Sequence, residues 1–307
     1  MSDLDVIYQY DGTFAGFLCC IYDSYAYKES PVGFSSDEGF LSLYEVRTVP
    51  TSAAHSKRVY QGIFSRSAQA AKVLRRAFLT CMEDKEMHLY AFACKVLREG
   101  GGFMGDLSDP VYYPLHKALR HMSGELEKLR GFVRFSDYHG VLGAAIEPKN
   151  RVLPLLRHHF CERYANETFF IFDRTNREVL FHAQGRARIV PMEHLELAAP
   201  DETELQYRQL WKTFFETVAI KERRNPRCQN SFLPKRYRGV MTEFLPLDGD
   251  GAPCPLDRSS RGCGPERDLP VNRSAAPAAS VSCGAPCGIP APAKRAGAGR
   301  SAPASSP

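Results

Sequence analysis

No apolar run in this sequence is long enough to cross a bilayer: the longest, Phe14 to Ile21, falls far short of the roughly 20 residues a spanning helix needs. The opening, MSDLDVIYQYDG, is acidic and polar where a secretory leader needs a basic start and an apolar core, so a cytoplasmic protein is expected. A disulfide framework is also missing. Cys19, Cys20, Cys81, Cys94, Cys161 and Cys228 lie within apolar or helical patterns without framework spacing, which predicts reduced, mostly buried thiols. No P-loop, HExxH or GxSxG pattern assigns a common enzyme class.

What is present suits a real core: of 307 residues, 44% are apolar and 11% aromatic. The net charge of +5 is mild, but its distribution is polar. Residues 1–50 hold eight acids against Lys28 and Arg47, whereas residues 219–243 hold seven bases against Glu222 and Glu243. Such a basic end permits a footprint on a phosphate backbone, and also permits pairing with the chain's own acids.

Val6 to Tyr10 predicts a short strand ending at Asp11-Gly12, and Thr13 the cap of a helix carrying Phe14, Phe17, Leu18, Ile21 and Tyr25. With so few glycines, Gly12 reads as a turn residue rather than a phosphate loop. A strand is expected over Leu41 to Val49, then helices over Ala68 to Met82 and Lys85 to Glu99, the second stopped by Gly100-Gly101-Gly102. Asp109-Pro110 opens the longest helix, whose apolar stripe runs from Val111 through Leu115, Leu119, Met122 and Leu126 to Leu129. His116, Lys117, Arg120, His121, Lys128 and Arg130 form a basic face beside it. His121 and Glu125 lack a third ligand nearby, so no metal site and no cofactor are expected.

The stretch Gly131 to Tyr164 reads as strand, turn, strand, loop, helix. Gly131 to Asp137 and Val141 to Glu147 alternate with a period of two around Tyr138-His139-Gly140, in a register that pairs Arg134 with Gly143 and Phe132 with Ala145. Val133, Phe135, Leu142, Ala144 and Ile146 form the core face. Phe132 and Arg134 stand on the other over residues too small to cover them, which points to close packing by a helix or to a ligand. Asn150 is placed to cap a helix through Tyr164 that carries His159 and Arg163, and Phe169 to Asp173 and Val179 to His182 form a second hairpin. Glu147, His159 and Asp173 are the candidate general base and its orienting or metal-holding carboxylates.

From Asp201 a final long helix bears Leu205, Leu210, Trp211, Phe214, Phe215, Val218 and Ile220, a face expected to dock on the sheet. It runs into KERRNPRCQNSFLPKRYRGVMTEF, where Arg223, Arg224, Arg227, Lys235, Arg236 and Arg238 interleave with Phe232, Tyr237 and amides, a pattern suited to phosphate contact with stacking. The alternative is an arm whose arginines pair with the acidic opening of the chain. Ala, Gly, Pro and Ser dominate beyond Leu247, so residues 1–247 are read as one α+β domain, an antiparallel sheet of hairpins packed with several helices, and residues 248–307 as a disordered tail. The spacings of Cys254, Cys263, Cys283 and Cys287 match no common zinc module.

Taken together, YDGTFAGFL, GFVRF, IEPKNRVLPLLRHHFCERY, FFIFDRTNREVLF and LWKTFFETVAIKERRNPRCQNSFLPKRYRGVMTE resemble a bacterial domain-of-unknown-function family labelled probable DNA metabolism protein. The family pattern falls on Asp11, Gly12, Phe132, Arg134, Phe135, Pro148, Phe160, Arg163, Asp173, Trp211, Pro234 and Tyr237, with Arg238-Gly239 standing where an aromatic is expected. The resemblance implies a role beside a radical SAM DNA modification or repair protein, or with uracil-DNA glycosylase family domains to which relatives are fused. Neither partner's chemistry is in this chain, since a glycosylase motif and the CxxxCxxC cluster ligation are both missing. The expectation is therefore an accessory protein of DNA repair or base modification that binds DNA, a repair enzyme, or both. In it Arg134, Arg163 and the basic arm meet phosphate or partner while Phe132 and Tyr237 stack or pack. The rivals are an enzyme acting on DNA or a nucleotide product through His159, Glu147 and Asp173, and a protein-only adaptor.

Overall fold

Strand β1 (Val6–Gln9) lies in the middle of a parallel three-stranded sheet, between β2 (Pro31–Ser35) and β3 (Glu45–Thr48). The computed structural model describes residues 5–37, 39–40, 42–195, 200–220 and 225–244; the tail expected over 248–307, with its cysteines, falls outside them. Parallel neighbours need a crossover, and α1 (Phe14–Tyr27) supplies it between β1 and β2. Thr13 caps that helix as its sequence predicts, its hydroxyl accepting from the Gly16 N–H at 2.9 Å. Sequence periodicity gave no warning of β2, because Pro31 and Gly33 look like loop residues; the strand tolerates proline because it lies at a sheet edge.

Four further helices complete the first half: α2 (Ala53–Arg66), α3 (Ala68–Ala77), α4 (Lys85–Glu99) and α5 (Tyr112–Phe132). Helix α3 stops short of the expected Met82, and Gly100 ends α4 with a φ of +81°. Phe17, Ile21, Ile63, Leu74, Phe92 and Leu115 are fully buried together in the core these elements share with β1. Complete burial of one such side chain contributes about 1.5–3 kcal/mol. At the head of α5, Asp109 accepts from the Val111 and Tyr112 N–H groups, both at 3.0 Å, so it caps the helix across Pro110.

The second sheet has the order β4 (Ser136–Tyr138), β5 (Val141–Ile146), β6 (Phe169–Asp173), β7 (Glu178–Ala183), β8 (Arg186–Pro191). It is mixed, with β5 and β6 parallel and joined through α6 (Leu153–Arg163), so the purely antiparallel expectation is corrected while the α+β class holds. The β4–β5 hairpin differs from its sequence reading. Gly131 and Phe132 belong to α5, and Ser136, not Arg134, pairs with Gly143. Two residues make the turn, His139 at φ 55° and Gly140 at φ 87°, a geometry that matches the twist of tightly paired strands. Gly143 and Ala145 are covered by rings: a Cβ on Gly143 would meet Phe170 at 2.3 Å and Tyr138 at 2.8 Å. The small residues thus serve aromatic packing within the sheet, where a helix or a ligand was expected.

Ala144, Ile146, Phe169, Ile171 and Leu180 face α5 and α6, while Ala145, Phe170, Phe172 and Val179 form a smaller apolar layer on the reverse. Asn150 does not cap α6. Its side chain donates to Glu125 at 2.7 Å and accepts from the Cys81 N–H at 3.1 Å, tying the loop before α6 to α5. Helix α7 (Glu202–Val218) starts at Asp201 as predicted, but the apolar side chains expected to dock are exposed, Leu210 by 65%, Phe214 by 57% and Val218 by 60%. Its first half is held by Arg208 on Ser136 and Glu204 on the Asp137 N–H, and its second half by Phe215 edge-on to Phe244, with ring centroids 5.6 Å apart. The arm continues as α8 (Pro226–Phe232) and α9 (Lys235–Arg238). Of the six described cysteines only Cys19 and Cys20 are buried, so the expectation of mostly buried thiols is corrected.

Candidate functional site

Three of the side chains expected to meet a phosphate backbone, Arg134, Arg236 and Arg238, are engaged within the molecule. Arg134 pairs with Glu243 at 2.9 Å, and its guanidinium carbon lies 5.5 Å from the Trp211 ring centroid. Arg236 pairs with Glu125 at 2.9 Å, also donates to the Tyr237 hydroxyl, and lies over the Tyr237 ring. Arg238 donates to the Asn230 side chain and the Leu233 carbonyl. Tyr237 is buried against Phe132, with ring centroids 5.5 Å apart, so neither ring is a free stacking platform. The carboxylate partners of Arg134 and Arg236 are Glu243 and Glu125, and not the acids of residues 1–50. Arg163, Arg227 and Lys235 are exposed, whereas Arg223 and Arg224 lie outside the described residues.

Glu147, His159 and Asp173 have separate surroundings. Asp173 is fully buried and its carboxylate accepts from the Thr175 and Asn176 N–H groups and the Asn176 side chain, closing the β6–β7 turn. Burial raises its pKa to about 6, against the opposing effect of the Asn176 hydrogen bonds. Glu147 follows the register partner of Asp173 and pairs with Arg174 at 2.7 Å. His159 lies edge-on to Phe160, its buried Nε2 without a hydrogen-bond partner among the described residues. No hydrogen bond or ion pair among those residues joins it to either carboxylate.

A different region concentrates free charge. A cleft of about 900 Å³ opens between the two cores, with β1–α1 and α3 on one side and α5 and the start of α6 on the other. Helix α3 presents Gln69, Lys72, Val73 and Arg76 at helical spacing, with Arg75 beside them, and α5 presents Tyr112, His116, Leu119, Arg120 and Ser123. Phe14, Tyr60 and Phe78 add aromatic surface, and Arg151 stands at the entrance to α6. Five cationic side chains therefore face one carboxylate, Asp11. Arg151 pairs with Glu178 at 2.8 Å; among the described residues no carboxylate pairs with Lys72, Arg75, Arg76 or Arg120, and Arg76 makes only a 3.4 Å hydrogen bond to Ser123.

Asp11 occupies the carboxyl end of β1, beside the carboxyl end of β3. The chain leaves β1 for β2 on one side and returns to β3 on the other, and open parallel sheets take ligands at such a divergence. Gly12 adopts φ +72° at the turn into α1. The Asp11 Oδ1 accepts from the Thr13 N–H at 2.9 Å and hydroxyl at 2.7 Å, and Oδ2 accepts from the Thr51 hydroxyl at 2.7 Å. Partial burial opposes ionisation, but these hydrogen bonds outweigh it and hold the carboxyl below its ordinary pKa. Sequence reasoning treated Gly12 as a turn, placed Arg120 on a solvated face and passed over Lys72, Arg75 and Arg76. Yet a signal existed: from Val46 to Met82 the chain has seven bases and no acid, a sharper imbalance than that of the C-terminal arm.

Residues 83–243 match a family described as a domain of unknown function, DUF4130. No curated protein matches the chain, and no solved structure does. Among the described residues no helix is long and apolar enough to cross a membrane, and no cluster of three His, Cys, Asp or Glu residues is arranged to hold a metal ion.

Proposed function

The chain belongs to the DUF4130 family, and from that premise we propose that it is an accessory nucleic-acid-binding protein of a DNA repair or base-modification system, which holds a single strand in the cleft between its two cores. The observation that carries this reading is the convergence of Lys72, Arg75, Arg76 and Arg120, unpaired among the described residues, on an aromatic-lined cleft. Cations without carboxylate partners are available to phosphate, and the lining residues Phe14, Tyr60 and Tyr112 add apolar surface on which a base can rest. A volume of about 900 Å³ has room for a few nucleotides of a single strand. The C-terminal arm adds a second contact through the exposed Arg227 and Lys235, whereas Arg236 and Arg238 have partners within the chain.

The accessory role includes a protein partner, a radical SAM DNA modification or repair protein or a uracil-DNA glycosylase family protein. Support comes from the exposed face of α7, where Tyr207, Leu210, Trp211 and Phe214 lie on one side of the helix. The test of the main reading is fluorescence anisotropy of the full chain with single-stranded and duplex DNA across a salt series. Single strands should bind more tightly, with an affinity that falls steeply as salt rises. Alanine at Lys72, Arg75, Arg76 and Arg120 should abolish most of that salt dependence. An unchanged slope in that variant would refute the cleft as the phosphate site.

A further inference from the structure

We infer that Asp11 is a specificity-determining residue of the cleft, which accepts a hydrogen bond from an amine or hydroxyl group of a nucleotide whose phosphate rests on the α3 and α5 cations. The inference depends on the cleft being a phosphate site, as proposed above, and adds what the opposite end of the ligand must carry.

Asp11 is the single carboxylate among the lining residues, and none of the five cations there lies within ion-pair distance of it. The cleft is therefore bipolar. An ionised carboxylate accepts hydrogen bonds only, and it repels phosphate. A continuous run of phosphates along the whole cleft is disfavoured; a ligand with phosphate at one end and an N–H or O–H donor at the other fits both ends. A nucleotide unit has that chemistry, with the donor on the base or on the sugar.

The carboxylate is also held in place. Thr13 fills Oδ1 with two hydrogen bonds, whereas Oδ2 receives one from Thr51 and keeps an acceptor position. Helix α1 runs so close beneath it that a Cβ on Gly16 would stand 2.1 Å from Oδ1 and 2.9 Å from the Thr51 hydroxyl. A cap alone does not require a second threonine from β3's far end. The Thr51 contact fixes Oδ2 at the divergence of the parallel strands, where the ligand lies.

Calorimetric titration of the full chain with deoxycytidine monophosphate, deoxyribose phosphate and inorganic phosphate tests this, comparing the natural protein with Asp11→Asn. Asparagine keeps Oδ1 for Thr13, and the Thr51 hydroxyl can turn to accept from the new amide; an unchanged melting temperature verifies that the cap survives. The expected result is about a tenfold loss of nucleotide affinity, the size of one charge-assisted hydrogen bond, with inorganic phosphate bound as well as before or more tightly. Loss with deoxyribose phosphate as well assigns the donor to the sugar, and loss with the nucleotide alone assigns it to the base. Equal effects on nucleotide and inorganic phosphate, or no effect on either, would overturn the role of Asp11. Failure of the natural protein to bind any of the three, or a single strand, would instead overturn the phosphate-binding cleft.

Discussion

Arg236 donates to Glu125 at 2.9 Å across 111 residues of chain, and Glu125 is almost completely buried, with 1% of its side chain exposed. The same carboxylate accepts from the Lys149 and Asn150 N–H groups and the Asn150 side chain. One acid thus fastens the C-terminal arm and the loop before α6 to the middle of α5. Its replacement by alanine leaves three donors and a guanidinium without their acceptor. Glu125→Ala should cost about 3–5 kcal/mol, the range for breaking a buried charge pair. Arg236→Ala should cost less, because the guanidinium is a third exposed. Chemical denaturation measures both, and neither variant should alter the salt dependence of DNA binding while the fold persists.

The cleft makes the opposite prediction. Single alanine replacements of Lys72, Arg75, Arg76 and Arg120 should leave the melting temperature nearly unchanged, since these side chains have no ion pair to lose among the described residues. Each should flatten the log–log salt slope for single-stranded DNA by about 0.7 if it holds one phosphate. Slopes from anisotropy titrations separate this from a general loss of positive charge, which an Arg227→Ala control reports.

Asp173 gives the fold a pH signature. Its folded-state pKa of about 6 lies above the ordinary value of 3.8, so between those values the folded protein binds the proton more readily than the unfolded chain. Lowering the pH from 7 to 4 should therefore relieve a penalty of roughly 2 kcal/mol at this residue. The carboxyls of Asp11 and Asp109, held below their ordinary value, work in the other direction at more acidic pH. Carbon-detected NMR titration of the Asp173 carboxyl should find a midpoint near 6.

Gly143 has no room for a side chain between Phe170 and Tyr138. Gly143→Ala should destabilise the protein by about 1–3 kcal/mol through overpacking. Gly124 is the control, for nothing lies within 4 Å of its virtual Cβ, so alanine there should stabilise or leave α5 unchanged. Thermal melts of the two variants should move apart.

Local patterns carried much of the fold. The Thr13 cap, the helix over Lys85–Glu99 and the strand Phe169–Asp173 follow from short-range spacing, and the structure holds them within those bounds. Gly131 to Asp137 misled because its alternation reads through a helix end: α5 continues to Phe132, and the strand begins only at Ser136. The apolar face of α7 looked like a core face because amphipathicity says nothing of what covers it. The cleft was hidden for a different reason. Its walls come from α1, α3, α5 and α6, and no periodicity reveals that Arg236 has a carboxylate waiting while Arg75 has none. What the sequence did display, the acid-free interval from Val46 to Met82, is a matter of composition, and its significance lies in where α3 points.

Helix α5 belongs to both halves of the protein: Leu115 is buried in the first core, Met122, Leu126 and Leu129 in the second, and Leu119 packs against both. A helix that contributes one end of its apolar stripe to each core couples their melting, because neither can open without stripping part of the other. Heat capacity should show one transition whose calorimetric and van't Hoff enthalpies agree. A ligand seated between α3 and α5 then raises the stability of the whole molecule, and protects amides in the distant β6–β7 hairpin as well as those beside it.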